Sequence, residues 1–446
     1  MPQTIALLRP DEAWLPWEPT AERPFDRRLA AHLYRRAGFA ASPRELDEAV
    51  KLGPAAAVKR LLAAGESTAA FDEEMRTFAD VTLAAGNPDL LSGWWLHRMR
   101  HTPAPLVEKM TLFWHGHFAT SAAKVREPEL MLRQNELFRR HALGSFRDLV
   151  RGIARDPAML LYLDSATNRK NHPNENFSRE VMELFCLGLG NYTERDIQEL
   201  ARCFTGWEIQ HGKFKFNPYQ HDEGTKAVLG QRGNFGGDEG LEIILDHPAT
   251  AEFICGKLVR YLISDEPLPA ELIAPLAGRL RESNLMLGPV LETILTSRVF
   301  YSDAAIGQKV RSPIELGVGL LRALEGTTNM VQLATRLRDL GQMPLYPPNV
   351  KGWDGGRAWI NSSTLLGRAN LVRAVVEDAS TRFGGGSLEA WLAKQNLAAG
   401  ERAVDFLAEL LVSVPLTAEV RSQLAGSPSP RQLVHLLGSL PEFQLA

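Results

Sequence analysis

The stretch His172-Pro173-Asn174-Glu175-Asn176-Phe177-Ser178-Arg179-Glu180-Val181-Met182-Glu183-Leu184-Phe185 constrains the fold more than any other part of the chain. Pro173 and Asn174 suit a helix start, and Gly188 and Gly190 suit its end. At ~100° per residue, Phe177, Val181, Leu184 and Phe185 share one face. Glu175, Arg179 and Glu183 share another, at i, i+4, i+8, with Asn176 and Glu180 beside them. A surface helix would keep that second face polar throughout, but Cys186 and Leu187 fall on it and Met182 borders it. The pattern predicts a helix apolar nearly all round, with its carboxylates and arginine facing inward. Buried carboxylates must be paired, hydrogen-bonded or metal-bound. If Glu175 and Glu183 each belong to a buried pair, alanine at either position costs ~3–5 kcal/mol.

Capping signals place helices on both sides of this segment. Ser42-Pro43-Arg44-Glu45, Thr193-Glu194-Arg195-Asp196 and Ser312-Pro313-Ile314-Glu315 each start one. Further helices are predicted over 27–36, 54–64, 90–100, 129–143 and 146–154. Another runs from Pro103 to Trp114, and more run from Pro248 to the C-terminus. Only Leu189 to Tyr192 separate the central helix from the one after Thr193, so the two form an αα-hairpin. Residues 65–86 read as a looser connection. Lys213-Phe214-Lys215-Phe216 alternates like a strand, with Lys226-Ala227-Val228-Leu229 as its expected partner and His221-Asp222 in the connection. The Gly-rich segment 230–240 lacks the spacing and Lys-Ser/Thr ending of a phosphate-binding loop, which excludes that nucleotide reading. The expected fold is mainly α: a multi-helical globular body with a small β-hairpin insertion near 210–235. Residues 1–25 form an N-terminal arm whose Trp14 and Trp17 dock on the body, 26–380 the main helical domain, and 387–446 a C-terminal helical extension packed on it.

A chain of 446 residues, 45% hydrophobic, buries a sizeable core. Its formal charge of −3 makes no electrostatic case for nucleic acid or an anionic membrane. Cys186, Cys203 and Cys255 lie far apart and form no CxxC pair, so buried reduced thiols are expected. No stretch approaches ~20 apolar residues and no basic segment precedes an apolar run at the N-terminus. That predicts no membrane span and a cytoplasmic location, with export still open.

Five blocks stand in a characteristic order: Phe113-Trp114-His115-Gly116-His117-Phe118, Pro173-Asn174-Glu175-Asn176-Phe177-Ser178-Arg179-Glu180, Thr205-Gly206-Trp207, His221-Asp222, and Pro347-Pro348-Asn349-Val350-Lys351-Gly352-Trp353. With them the chain resembles the bacterial family named domain of unknown function 1800, over roughly residues 25–375 and the last helices. The resemblance implies a mainly helical protein and brings no assigned catalytic residues. It also implies a sulfatase-like partner, of the family domain of unknown function 1501, whose genes often lie beside those of this one. Many members carry export signals, and this sequence departs from them in lacking an evident one.

Two readings of the candidate residues compete. In the first, His115 and His117 flank a helix end at Gly116, lie on one side of an extended segment, and bind a divalent metal together with Glu175. Glu175, Glu183, His221 and Asp222 then serve as catalytic candidates in a metal-assisted hydrolysis. If the helix instead continues, the imidazoles diverge by ~200° and hydrogen-bond helix carbonyls. The Glu-x-x-His pattern of di-iron bundles is absent. In the second reading the carboxylates form an internal network with Arg179, arginines between Arg133 and Arg140, or Arg202. The protein is then a non-catalytic binding or assembly module. Its binding candidates are Arg179, Trp207, Trp353 and Trp359, the last two in a Pro-rich loop suited to a sugar or a peptide. No Gly-x-Ser-x-Gly elbow or Cys–His arrangement supports a serine or cysteine hydrolase.

Overall fold

The structure is a computed structural model that describes residues 9–397 and 400–446. It is mainly α, with three small two-stranded antiparallel sheets among the described residues. One helix, Pro105–His117, runs through the middle of the body. Eleven of its side chains are buried, including Glu108, Lys109, His115 and His117, so nearly every face meets protein. It packs on the helices Pro128–Arg140 and Pro88–His101. Pro105 at the first turn suits its start, because proline has no N–H to leave unpaired there.

The segment around Phe177 begins as an α-helix, Asn176–Glu180, and continues as a π-helix, Val181–Cys186. Leu187 N–H donates to Met182 O at 2.9 Å, one residue further back than in an α-helix. The π-helix packs on Gly237–Leu245 and Pro248–Leu262, and the α-helical part packs on Glu194–Cys203 in the expected hairpin. Phe177, Val181, Met182, Phe185, Cys186 and Leu187 are buried. The prediction that its carboxylates point inward is overturned. The side chains of Glu175 and Arg179 keep 38% and 36% of their exposure and pair with each other at 3.2 Å. The extra π residue rotates the segment, which lets both apolar groups of the sequence face protein while the charged face meets water.

The asparagines of this block are structural. The Asn174 side chain accepts from Asn176 N–H at 2.9 Å and donates to Asp164 O at 2.9 Å. Asn168 reaches in from the preceding loop, accepting from Asn174 N–H and donating to Ala201 O, each at 2.9 Å. Together they fix the entry to the helix.

Three further expectations change. Residues 65–86 contain a full helix, Ala69–Ala84. Only Met75 and Ala79 on it are buried, so its apolar stripe is too thin to read in the sequence. Lys213–Phe216 pairs with Trp207–Gln210, not with the residues near 226. Lys226–Val228 pairs with Gln231–Gly233 to make a second hairpin. Both turns place a residue and a following glycine at positive φ, His211-Gly212 (52° and 66°) and Leu229-Gly230 (48° and 82°), the geometry that closes a two-residue hairpin. Trp207 therefore opens a strand.

At the N-terminal end, Trp14 donates through Nε1 to Leu272 O at 2.7 Å, and the Trp17 ring lies 4.7 Å from that of Tyr301. At the other end, Ser362–Glu377 packs on Pro430–Ser439, and the buried Arg368 donates to Gln444 Oε1 at 2.7 Å and Arg311 O at 2.6 Å. The three cysteines are buried and free. Among the described residues no helix is long and apolar enough to cross a membrane.

Candidate functional site

The helix Pro105–His117 does not end at Gly116, so His115 and His117 point to different neighbours. His117 Nε2 donates to Phe185 O at 3.0 Å. That carbonyl belongs to the last turn of the π-helix, where backbone oxygens have no partner within the helix. His115 Nε2 accepts from Leu345 N–H at 3.1 Å, so the second imidazole holds the Pro-rich loop. Burial lowers both imidazoles to about 3, and both are neutral at pH 7. Through Nε2 of each ring, the His-x-His pair clamps two distant segments to one helix. Among the described residues no group of three or more His, Cys, Asp or Glu side chains is placed to hold a metal ion.

The clamp sets the geometry of the loop. Leu345 sits at φ 69°, and its carbonyl accepts from Ala122 N–H at 2.9 Å. Pro344 O accepts from the buried Ser92 hydroxyl at 2.7 Å. Gly352 (φ 78°) lies flat on the helix end: a Cβ there would stand 2.2 Å from Gly116 O. That contact requires glycine on steric grounds and on φ. Trp353 then rests its edge against His115, with ring centroids 5.7 Å apart.

Between this loop and the helices Pro105–His117 and Pro248–Leu262 is a cleft with about 170 Å³ of space open to water. Its aromatic wall is Phe113, Tyr261, Trp353 and Trp359. His117, Lys257, Arg260, Lys309 and Lys351 supply its basic and imidazole groups, and Asp265, Glu315 and Asp354 its carboxylates. Glu315 pairs with Lys109 and also accepts from Ser312 N–H at 2.7 Å, as the capping box requires. Burial alone would raise its carboxyl; Lys109 and Lys309 hold it at about 2. Asp265 pairs with Lys309 and accepts from Val310 N–H at 2.8 Å.

The remaining candidates lie elsewhere. Glu183 accepts from Tyr192 OH at 3.2 Å, and Arg179 bonds Glu194 at 2.7 Å. Burial, followed by the charge of Glu183, raises the carboxyl of Glu180, and Arg179 and then Lys351 of the Pro-rich loop counter it. His221 is buried and its Nδ1 lies 2.8 Å from Thr205 O. Asp222 accepts from Arg202 Nε at 2.7 Å, and Arg202 also binds Glu199 at 2.8 Å. Trp207 is buried against Phe204 and Phe214. Of the residues singled out in the sequence, His117, Trp353 and Trp359 share the cleft; Glu175, Glu183, His221, Asp222, Arg179 and Trp207 do not line it.

A buried acid–arginine spine does exist, on other residues. Glu108 accepts from Arg98 Nε at 2.6 Å, Arg139 Nε at 2.5 Å and Trp95 Nε1 at 3.0 Å. Burial would raise its carboxyl; Arg139 and Arg98 hold it down at about 2. The sequence carried a partial signal for it, because Glu108 interrupts the mostly apolar helix Pro105–His117, whereas Arg139 sits among other polar residues of Pro128–Arg140. Lys351 stood inside a quoted block and Glu315 inside a quoted capping box. Lys257 and Arg260, one helical turn apart, carried no signal beyond their spacing.

A family model described as "Protein of unknown function (DUF1800)" matches residues 32–445. A match over that much of the chain defines its class, and the protein belongs to the DUF1800 family. No curated protein and no solved structure matches it.

Proposed function

We propose that this chain is a non-catalytic binding module whose ligand site is the cleft under the Pro-rich loop. One observation carries this reading: the loop Gln342–Trp359, fixed by His115 and by the contact of Gly352 with Gly116, places Trp353 and Trp359 along a cleft lined with charged side chains. Aromatic faces beside a few polar groups make a small-molecule site. Metal-assisted hydrolysis is less well supported. It needs His115, His117 and Glu175 at one point, and the Nε2 atoms of the two imidazoles and the Glu175 carboxylate are engaged by Leu345, Phe185 and Arg179. Protein dialysed against EDTA should therefore keep its melting temperature; a fall of several degrees would restore the metal reading.

The test of the binding reading is ligand-observed NMR on a panel of monosaccharides and short peptides, neutral and charged. Binding by at least one compound is expected, with loss of the signal in Trp353→Ala. A panel that binds nowhere, or binds Trp353→Ala equally well, removes the reading. The sulfatase-like partner implied by family resemblance belongs to the same reading, as the protein this module works with. Coexpression followed by size-exclusion chromatography tests it, and separate elution of the two chains removes the partner.

A further inference from the structure

Resting on that reading, we infer that the ligand of the cleft is an anionic, hydroxyl-bearing ring, such as a sugar acid or a sugar phosphate, with its acid group at Lys257, Arg260 and Lys351.

Part of the charge lining the cleft is already in use. Two of the three carboxylates lining the cleft are committed, Asp265 to Lys309 and Glu315 to Lys109. Each also accepts a backbone N–H, from Val310 and Ser312. Among the described residues three cations of the cleft have no ion pair, Lys257, Arg260 and Lys351, the last felt by Glu180, against one carboxylate of the cleft without one, the exposed Asp354. Lys257 is half-buried, and its ammonium sits 5.1 Å from the centre of the Phe253 ring. Burial lowers its basicity, and the neighbouring Arg260 lowers it further, so the two charges feel each other without an acid between them.

The ground beneath the cleft adds to this surplus. Arg36, Arg311 and Arg368 are buried there, near enough for Glu315 to act on each of them. None has an ion pair among the described residues. Arg36 donates to Ala305 O at 2.6 Å, and Arg311 to Leu411 O at 2.7 Å and Leu445 O at 2.8 Å. Among the described residues Arg36 Nε and Nη1 and Arg368 Nη1 have no hydrogen-bond partner. Glu315 is thus shared among several cations, and a protein interior screens their field less than water does. An anion entering the cleft meets a positive potential from its walls and from below.

His117 supplies the second requirement. Its Nε2–H is spent on Phe185 O, which fixes the tautomer and leaves Nδ1 as an acceptor. Nδ1 is buried and has no partner among the described residues, in a residue that lines the cleft. A ligand hydroxyl is the donor that would satisfy it. The tryptophan wall suits the apolar face of a ring.

The test is calorimetric titration of the full chain with glucuronate, glucose 6-phosphate and glucose at matched ionic strength. One or both anionic sugars should bind at least tenfold more tightly than glucose. Which one does so separates a carboxylate from a phosphate ligand. The variant Lys257→Met should weaken the anionic ligand at least tenfold and leave glucose unchanged. Arg260→Gln, on an exposed residue that cannot disturb the core, checks the result if Lys257→Met folds poorly. Equal binding of glucose and the anions, insensitive to both variants, overturns the anionic assignment while the binding module stands. Binding of inorganic phosphate as tight as that of glucose 6-phosphate overturns the ring. If no compound of the wider panel binds at all, the binding module itself fails.

Discussion

At the scale of single residues, similar-looking carboxylates differ according to where they sit. Glu175 and Glu108 both pair with arginine, but Glu175 does so at the surface and Glu108 with almost no contact with water. Removing one partner of a buried pair strands the other charge, so Glu108→Gln should cost ~3–5 kcal/mol. Glu175→Ala should cost less than ~1 kcal/mol, because water screens an exposed pair. Urea denaturation of the two variants checks both figures, and equal losses would contradict the structure. His117→Phe keeps a ring in the core but strands Phe185 O, so it should cost ~1–3 kcal/mol. Its effect should be unchanged by added zinc, since the wild-type imidazole holds a carbonyl.

At the scale of elements, the glycine at position 352 decides whether the Pro-rich loop seats. Gly352→Ala would bring a methyl group 2.2 Å from Gly116 O at a φ of 78°. The loop must then lift from the helix, and both Trp353 and the His115–Leu345 bond go with it. The expected result is loss of cleft binding with most helices intact, read as an unchanged far-ultraviolet circular dichroism spectrum beside an altered tryptophan spectrum. The helices themselves were legible in the sequence where a cap and a wide apolar stripe coincide, as at Ser42, Thr193 and Ser312. Ala69–Ala84 has no side-chain cap bond and a thin stripe, and it escaped. The strand Lys213–Phe216 was visible, but its partner was not: the choice lay in the turn His211-Gly212, which is shorter than the connection to residue 226. The central helix departs from the α periodicity of its sequence because a π-helix shifts every residue after Val181. The cleft was half legible. Its tryptophans and His117 lie in recognisable blocks, whereas Lys257 and Asp265 reach it through packing between segments distant in sequence.

For the whole molecule, buried groups dictate how stability depends on pH. His115 and His117 are lowered from 6.5 to about 3 in the fold, so the unfolded chain takes up protons there first as pH falls. Stability is full above pH 6.5 and declines below it, by ~1.4 kcal/mol per pH unit for each uncompensated proton. Asp156 opposes this, since burial raises it from 3.8 to about 6 and the fold gains a proton before the unfolded chain does. Glu108 and Glu315, lowered from 4.5 to about 2, reinforce the loss below pH 4.5. Denaturation at pH 7.5, 5.5 and 4 should show a shallow fall followed by a steep one. A protein equally stable at all three would refute the burial of these groups.

The bond between His115 and Leu345 spans 230 positions in the chain. Contacts of such separation form late, because the intervening chain must be ordered before they can close. During synthesis the helix Pro105–His117 emerges long before its roof, and His115 waits in water until Leu345 arrives. The cleft thus comes into being only as the Pro-rich loop closes over the helix. Formation of the His115–Leu345 bond therefore reports that the chain has been made and folded through the Pro-rich loop.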